Sequence, residues 1–129
     1  MTRTSINLQY PVSDETDTIQ TVVPTATTVV QADGILIKDA FACKDNTLTI
    51  VISNTANADK DVTIKKGVYQ NSILGDLTFS AKASSTTVVK VENPSRLEQA
   101  DGSLIIDFAT GFTGTIYAIG KKAGLKSVQ

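Results

Sequence analysis

Three aspartates, Asp39, Asp101 and Asp107, lie in or beside strand-like stretches and are the residues best placed to do chemistry. A pair of such carboxylates can cleave a glycosidic bond, one as acid and the other as base or nucleophile. Carboxylates at the ends of strands also cap turns and face solvent, and that is the reading their surroundings favour. Histidine is absent, so Ser/His/Asp and Cys/His arrangements are excluded. Its absence also removes the commonest metal ligand. Cys43 has no companion and follows an apolar stretch, as expected of a structural thiol rather than a nucleophile. The acidic run 13–17 lacks the glycine that a calcium loop needs. Gly111 and Gly114 fall in a hairpin-like turn and not before a helix, so they make no phosphate loop. No catalytic residue, cofactor or metal site is expected, and the chain reads as a non-enzyme.

The elements around these residues are strands. The chain has 129 residues, 41% hydrophobic, with eighteen threonines, many beside Val or Ile. That composition suits one β-rich domain with a core of its own. The formal net charge of −1 gives no electrostatic case for nucleic acid. No apolar run is long enough for a transmembrane helix, and residues 1–10 lack the apolar segment of a secretory signal, so no membrane partner is expected.

Alternation places most strands. Leu48, Ile50 and Ile52 share one face, Val62 and Ile64 another, and Ile116 and Ala118 another. Residues 77–80 and 86–91 read as further strands, and residues 94–99 as a single helical turn opened by Pro94. Residues 68–76 have no clean period and read as a long loop carrying apolar anchors.

Seven of nine letters match between residues 31–39 (QADGILIKD) and residues 99–107 (QADGSLIID). In each, Asp-Gly signals a turn before a strand. The bulky rows differ, however: Ile35, Ile37 and Phe41 in the first, Leu104, Ile106 and Phe108 in the second. They are offset by one position, which reverses the facing. The echo is therefore two similar turn–strand units and not a duplication. About eight strands at ten-residue spacing, with no long helix, predict an all-β fold: an antiparallel β-sandwich, jelly-roll-like, with an extended N-terminal arm. The expected division is an arm or edge strand over residues 1–24, the sandwich over 25–120 and a flexible basic tail over 121–129.

Two features point to assembly. Ile6, Leu8, Tyr10 and Val12 form an apolar row that either completes the chain's own sheet or adds to a neighbouring surface as a strand. In the second case, removing residues 1–17 would leave a folded domain that no longer binds. The loop carrying Tyr69, Ile73 and Leu74 is the other candidate interface, because exposed apolar loops on a small domain usually mark contacts.

Residues 62–67 (VTIKKG), 74–81 (LGDLTFSA), 95–108 (SRLEQADGSLIIDF) and 113–116 (TGTI) carry a resemblance. Over roughly residues 45–119 the chain resembles the head decoration, or capsid cement, proteins of tailed bacteriophages. The resemblance implies a β-sandwich structural protein of the virion, made in the host cytoplasm, that binds the major capsid protein on the outer shell surface and stabilises it. Such proteins commonly act as trimers or monomers, so the resemblance admits self-association as a homotrimer, and it brings no catalytic residues. A tail or fibre module, or a carbohydrate-binding β-sandwich, are the rival readings; the second would need a platform of exposed aromatics.

Overall fold

The computed structural model describes residues 3–9, 25–41 and 48–120. Among them the chain is mostly β, with ten strands in two mixed sheets of five. Cys43, the expected turn at 44–46, the acidic run 13–17, Tyr10, Val12 and residues 121–129 lie outside the described residues.

In the first sheet the order is β1 (Thr4–Ile6), β4 (Ile35–Ile37), β9 (Leu104–Phe108), β6 (Lys60–Ile64) and β7 (Leu77–Ala81). In the second, β2 (Leu8–Gln9), β10 (Gly114–Ile119), β5 (Thr49–Asn54) and β8 (Ser85–Lys90) follow one another. The short β3 (Thr27–Thr28) lies against β10 as well. One cluster of buried side chains, drawn from both sheets, makes the core. Ile35, Ile37, Leu48, Ile50, Ile52, Val62, Ile64, Leu104, Ile106 and Ile116 are fully buried. Each sits on the face that the alternation assigned, because a period of two leaves one side of every strand for the core.

The two echoed units are direct neighbours. β4 pairs antiparallel with β9, placing Ile35 opposite Ile106 and Ile37 opposite Leu104. The one-position offset is what lets both rows reach the same core. Gly34 and Gly102 hold positive φ angles of 73° and 82°, as the Asp-Gly turns require.

The sheets are not purely antiparallel, as the sequence had suggested. β1 runs parallel to β4, and β2 runs parallel to β10. Both exceptions come from the N-terminal segment. Residues 4–6 join the first sheet, the chain turns over at Asn7, and residues 8–9 join the second. Ile6 and Leu8 are 8% and 6% exposed, inside the core of their own chain. Of the two alternatives for this row, completing the chain's own sheets is what residues 4–9 do. Ile6 and Leu8 are therefore corrected from partner contacts to core residues, and removal of residues 1–17 would open both sheets.

A second correction concerns Gly111 and Gly114. β9 and β10 belong to different sheets, so the turn between them passes from one sheet to the other and makes no hairpin. Phe112 lies in that turn, 3% exposed, with its ring centroid 4.6 Å from that of Phe108. Phe79 is only half-buried, because β7 is the outermost strand of its sheet.

Candidate interaction surface

The segment 65–76 leaves β6 and returns to β7 through a 3-10 helix, Gln70–Leu74, instead of an irregular loop. None of the five helical residues is buried. Val68, Tyr69, Ile73 and Leu74 are exposed, Ile73 to 90%. Isolated exposed apolar side chains are ordinary; four within seven residues form a patch.

Polar groups hold this apolar crest at both feet. Asp76 closes the base: its carboxylate accepts the Lys66 N–H at 2.8 Å and the Lys65 ammonium at 2.8 Å. The Lys65 contact and the Lys66 N–H hold the Asp76 carboxyl below its usual range, and Asp76 in turn raises Lys65. The second support is the short helix α1 (Pro94–Leu97), anchored in the core by Leu97. On one side of the crest, Gly67 donates its N–H to the Arg96 carbonyl at 2.7 Å, and Val68 donates to the Glu98 carbonyl at 3.1 Å. On the other side, the Arg96 guanidinium donates to the Gly75 carbonyl at 2.9 Å and to the Asp76 carbonyl at 3.0 Å. Gln99 adds a bond to the Lys66 carbonyl at 2.9 Å. A β-carbon at Gly67 would sit 2.7 Å from the Glu98 nitrogen, so only glycine allows this approach.

Val68 also borders an open groove of about 400 Å³ on the outer face of the first sheet. Its other walls include Leu36, Ile105, Ala100 and Gln99. Leu36 and Ile105 are opposite one another in the β4–β9 register, which makes the floor apolar. Crest and groove thus meet at Val68.

The three aspartates singled out from the sequence are in separate structural contacts. Asp39 accepts the Leu8 N–H at 2.8 Å and so fixes the point where the chain changes sheets. Asp101 accepts the Ser103 hydroxyl at 2.6 Å and its N–H at 3.1 Å, which lowers its pKa. Asp107 is paired with Arg3. Among the described residues no group of three or more His, Cys, Asp and Glu could hold a metal ion, and no helix is long and apolar enough to cross a membrane. Tyr69 is the sole exposed large aromatic of the described residues, so they show no aromatic platform.

No family model, curated protein or solved structure matches the chain.

Of the residues picked as interface from the sequence, the fold brings together Tyr69, Ile73 and Leu74, and puts Ile6 and Leu8 elsewhere, in the core. Reading the sequence missed the supports: Asp76, Arg96 and Gln99. A signal existed in the bracket Gly67…Gly75-Asp76, two glycines around an apolar stretch followed by a carboxylate. Nothing local in the sequence pointed to Arg96, whose partners are 20 and 21 residues away.

Proposed function

We propose that the protein is a non-enzymatic structural component of a virion that docks on the outside of a bacteriophage capsid, with the major capsid protein as partner. In this reading the two sheets form a jelly-roll-like sandwich that serves as scaffold, and the crest makes the contact. The observation that carries it is the exposure of Val68, Tyr69, Ile73 and Leu74 on a segment whose two feet are held by Asp76 and Arg96. An apolar contact offered on a pre-ordered segment loses little conformational freedom on binding. The choice of a capsid shell as partner rests on the resemblance of residues 45–119 to decoration proteins.

The action is mechanical. Each copy buries apolar surface across neighbouring shell subunits and resists their separation. A contact of about 800 Å² per partner is the usual size for a specific interface. Many symmetric copies then sum to a large effect on the shell.

The test is co-sedimentation of purified protein with undecorated capsids. Ile73→Asp with Leu74→Asp is expected to abolish binding while thermal unfolding stays unchanged, because neither side chain is buried. A doubly substituted protein that still saturates the shell would refute the reading.

A further inference from the structure

We propose that two copies of this chain join edge to edge, β8 pairing antiparallel with the β8 of a second copy in a register centred on Val88. This pairing does not rest on the capsid reading. β8 ends the second sheet, with β5 on one side and no strand on the other among the described residues. Its sequence, STTVVK, has no proline and no glycine, and one charge, Lys90. Open edges of this composition are templates for another strand; proteins that avoid pairing put charges, prolines or bulges there.

The hydrogen-bond alternation shows which groups are on offer. Val91 donates its N–H to the Leu48 carbonyl at 2.9 Å, and Thr55 donates to the Thr113 carbonyl of the opposite neighbour at 2.8 Å. Antiparallel ladders alternate residue by residue. With Val89 opposite Ile50 and Thr87 opposite Ile52, those residues turn their backbone groups toward β5. Thr86, Val88 and Lys90 therefore turn theirs to the open edge.

Symmetry then selects the register. Directly opposed residues of an antiparallel pair share a face, so a two-fold axis through the sheet requires each residue to meet one of its own parity. Centring on Val88 satisfies this with the outward-facing groups. Val88 meets Val88 of the second copy, Thr86 meets Lys90, and Thr87 meets Val89. No like charges are opposed. Val88 is 64% exposed, and its row continues through Val51 to Tyr117 on the outer face, so the join would extend an existing cross-strand row.

The inner face supports the same join. β7 ends the first sheet on the side where it contacts β8. Leu77, Phe79 and Val89 pack against the core there but stay half-buried. A second copy across β8 covers this open side of the core.

Sedimentation equilibrium of the full chain tests the proposal. The wild type is expected to pass from monomer to a species of twice 13.7 kDa between about 1 µM and about 1 mM. Val88→Lys and Val88→Glu are each expected to remain monomeric, since each would oppose like charges. Their equimolar mixture is expected to regain the dimer. A wild type that stays monomeric or closes as a trimer overturns the proposal, as does a dimeric Val88→Lys or a mixture that stays monomeric. Should a charged variant lose its β-sheet circular dichroism, Val88→Pro replaces it. Its missing N–H faces the open edge and is not needed by β5, so it is expected to fold as a monomer. A dimeric Val88→Pro likewise overturns the register.

Discussion

The Gln9 side chain bonds to the backbone of Thr25 at two points, its Oε1 accepting the Thr25 N–H at 2.8 Å and its Nε2 donating to the Thr25 carbonyl at 2.8 Å. An amide side chain here takes the place of a strand backbone. It ties β2, which lies beside Ala118 and Ile119, to the stretch leading into β3, which lies beside Thr115 and Ile116. Two short pieces of chain thereby share one edge of β10. Gln9→Ala is expected to lower stability by about 1 kcal/mol, the usual net value of a neutral hydrogen bond, in urea denaturation.

The N-terminal strands are part of the fold and not an appendage. Deleting residues 1–9 exposes the core that Ile6 and Leu8 cover, and each buried aliphatic side chain contributes about 1.5–3 kcal/mol. The truncated protein is expected to unfold at clearly lower urea than the full chain, with loss of cooperativity visible in circular dichroism. A truncation with the midpoint of the full chain would show that the two parallel pairs contribute nothing.

Asn54 is the buried polar residue that organises the turn after β5. It is 2% exposed; its Nδ2 donates to the Ala81 carbonyl at 2.9 Å and the Ala58 carbonyl at 3.2 Å, and its Oδ1 accepts the Ala56 N–H at 2.9 Å. Asn54→Ala strands those backbone groups, and leaving a buried group unpaired costs about 1–3 kcal/mol. The expected result is a loss of that size in the urea midpoint, with the native β spectrum retained.

Gly67→Ala probes the support of the crest. The added methyl meets the Glu98 backbone, which cannot swing aside as a flexible side chain would. Overpacking of this kind costs about 1–3 kcal/mol. Under the proposed capsid function, shell binding is expected to weaken along with stability, whereas Ile73→Ala is expected to weaken binding alone. Calorimetry on both variants, set beside capsid co-sedimentation, separates the two effects.

Acid should loosen the protein through identifiable groups. Asp76 is held low by the Lys65 ammonium and the Lys66 N–H, Asp101 by the Ser103 hydroxyl and N–H, and Asp59 by the Ala83 N–H. Each folded-state pKa lies below the unfolded value of about 3.9. The unfolded chain then binds protons more readily, so the stabilisation is complete above that value and is lost as pH falls through the folded pKa values. Stability is expected to be flat above about pH 5 from these groups and to drop below about pH 4. Asp76→Asn is expected to make the low-pH decline shallower in urea titrations run across that range. All three carboxylates are near the surface, so about 1 M salt should reduce the effect of the Lys65 pair.

Most of the strands were legible because their signal is local. Leu48, Ile50 and Ile52, or Leu104, Ile106 and Phe108, declare a buried face by alternation alone, and burial agrees at every one of these positions. The exposed Tyr69, Ile73 and Leu74 were legible for the opposite reason: an apolar cluster without a period has no face of its own to bury. Burial of Phe112 was not legible, because a turn between glycines has no period to show that one of its side chains points into the core as the chain passes to the other sheet. Of the crest's supports, Arg96 was illegible because its partners Gly75 and Asp76 are 21 and 20 residues away and meet it only through the packing of α1, anchored by Leu97.

By itself the sequence determined which residues alternate, where Asp-Gly turns begin, and that equivalent letters of the two QADG units, such as Leu36 and Leu104, face opposite ways. Each of these is set by neighbours one or two residues apart. Tertiary structure alone decided that those two units pair with each other, that residues 4–9 cross from one sheet to the other, and that Asp76 and Arg96 hold up an apolar crest. A strand's periodicity says that it has a partner and a core side, but not which strand the partner is. That choice depends on how the whole set of apolar faces closes over one core, a property no short window of residues contains.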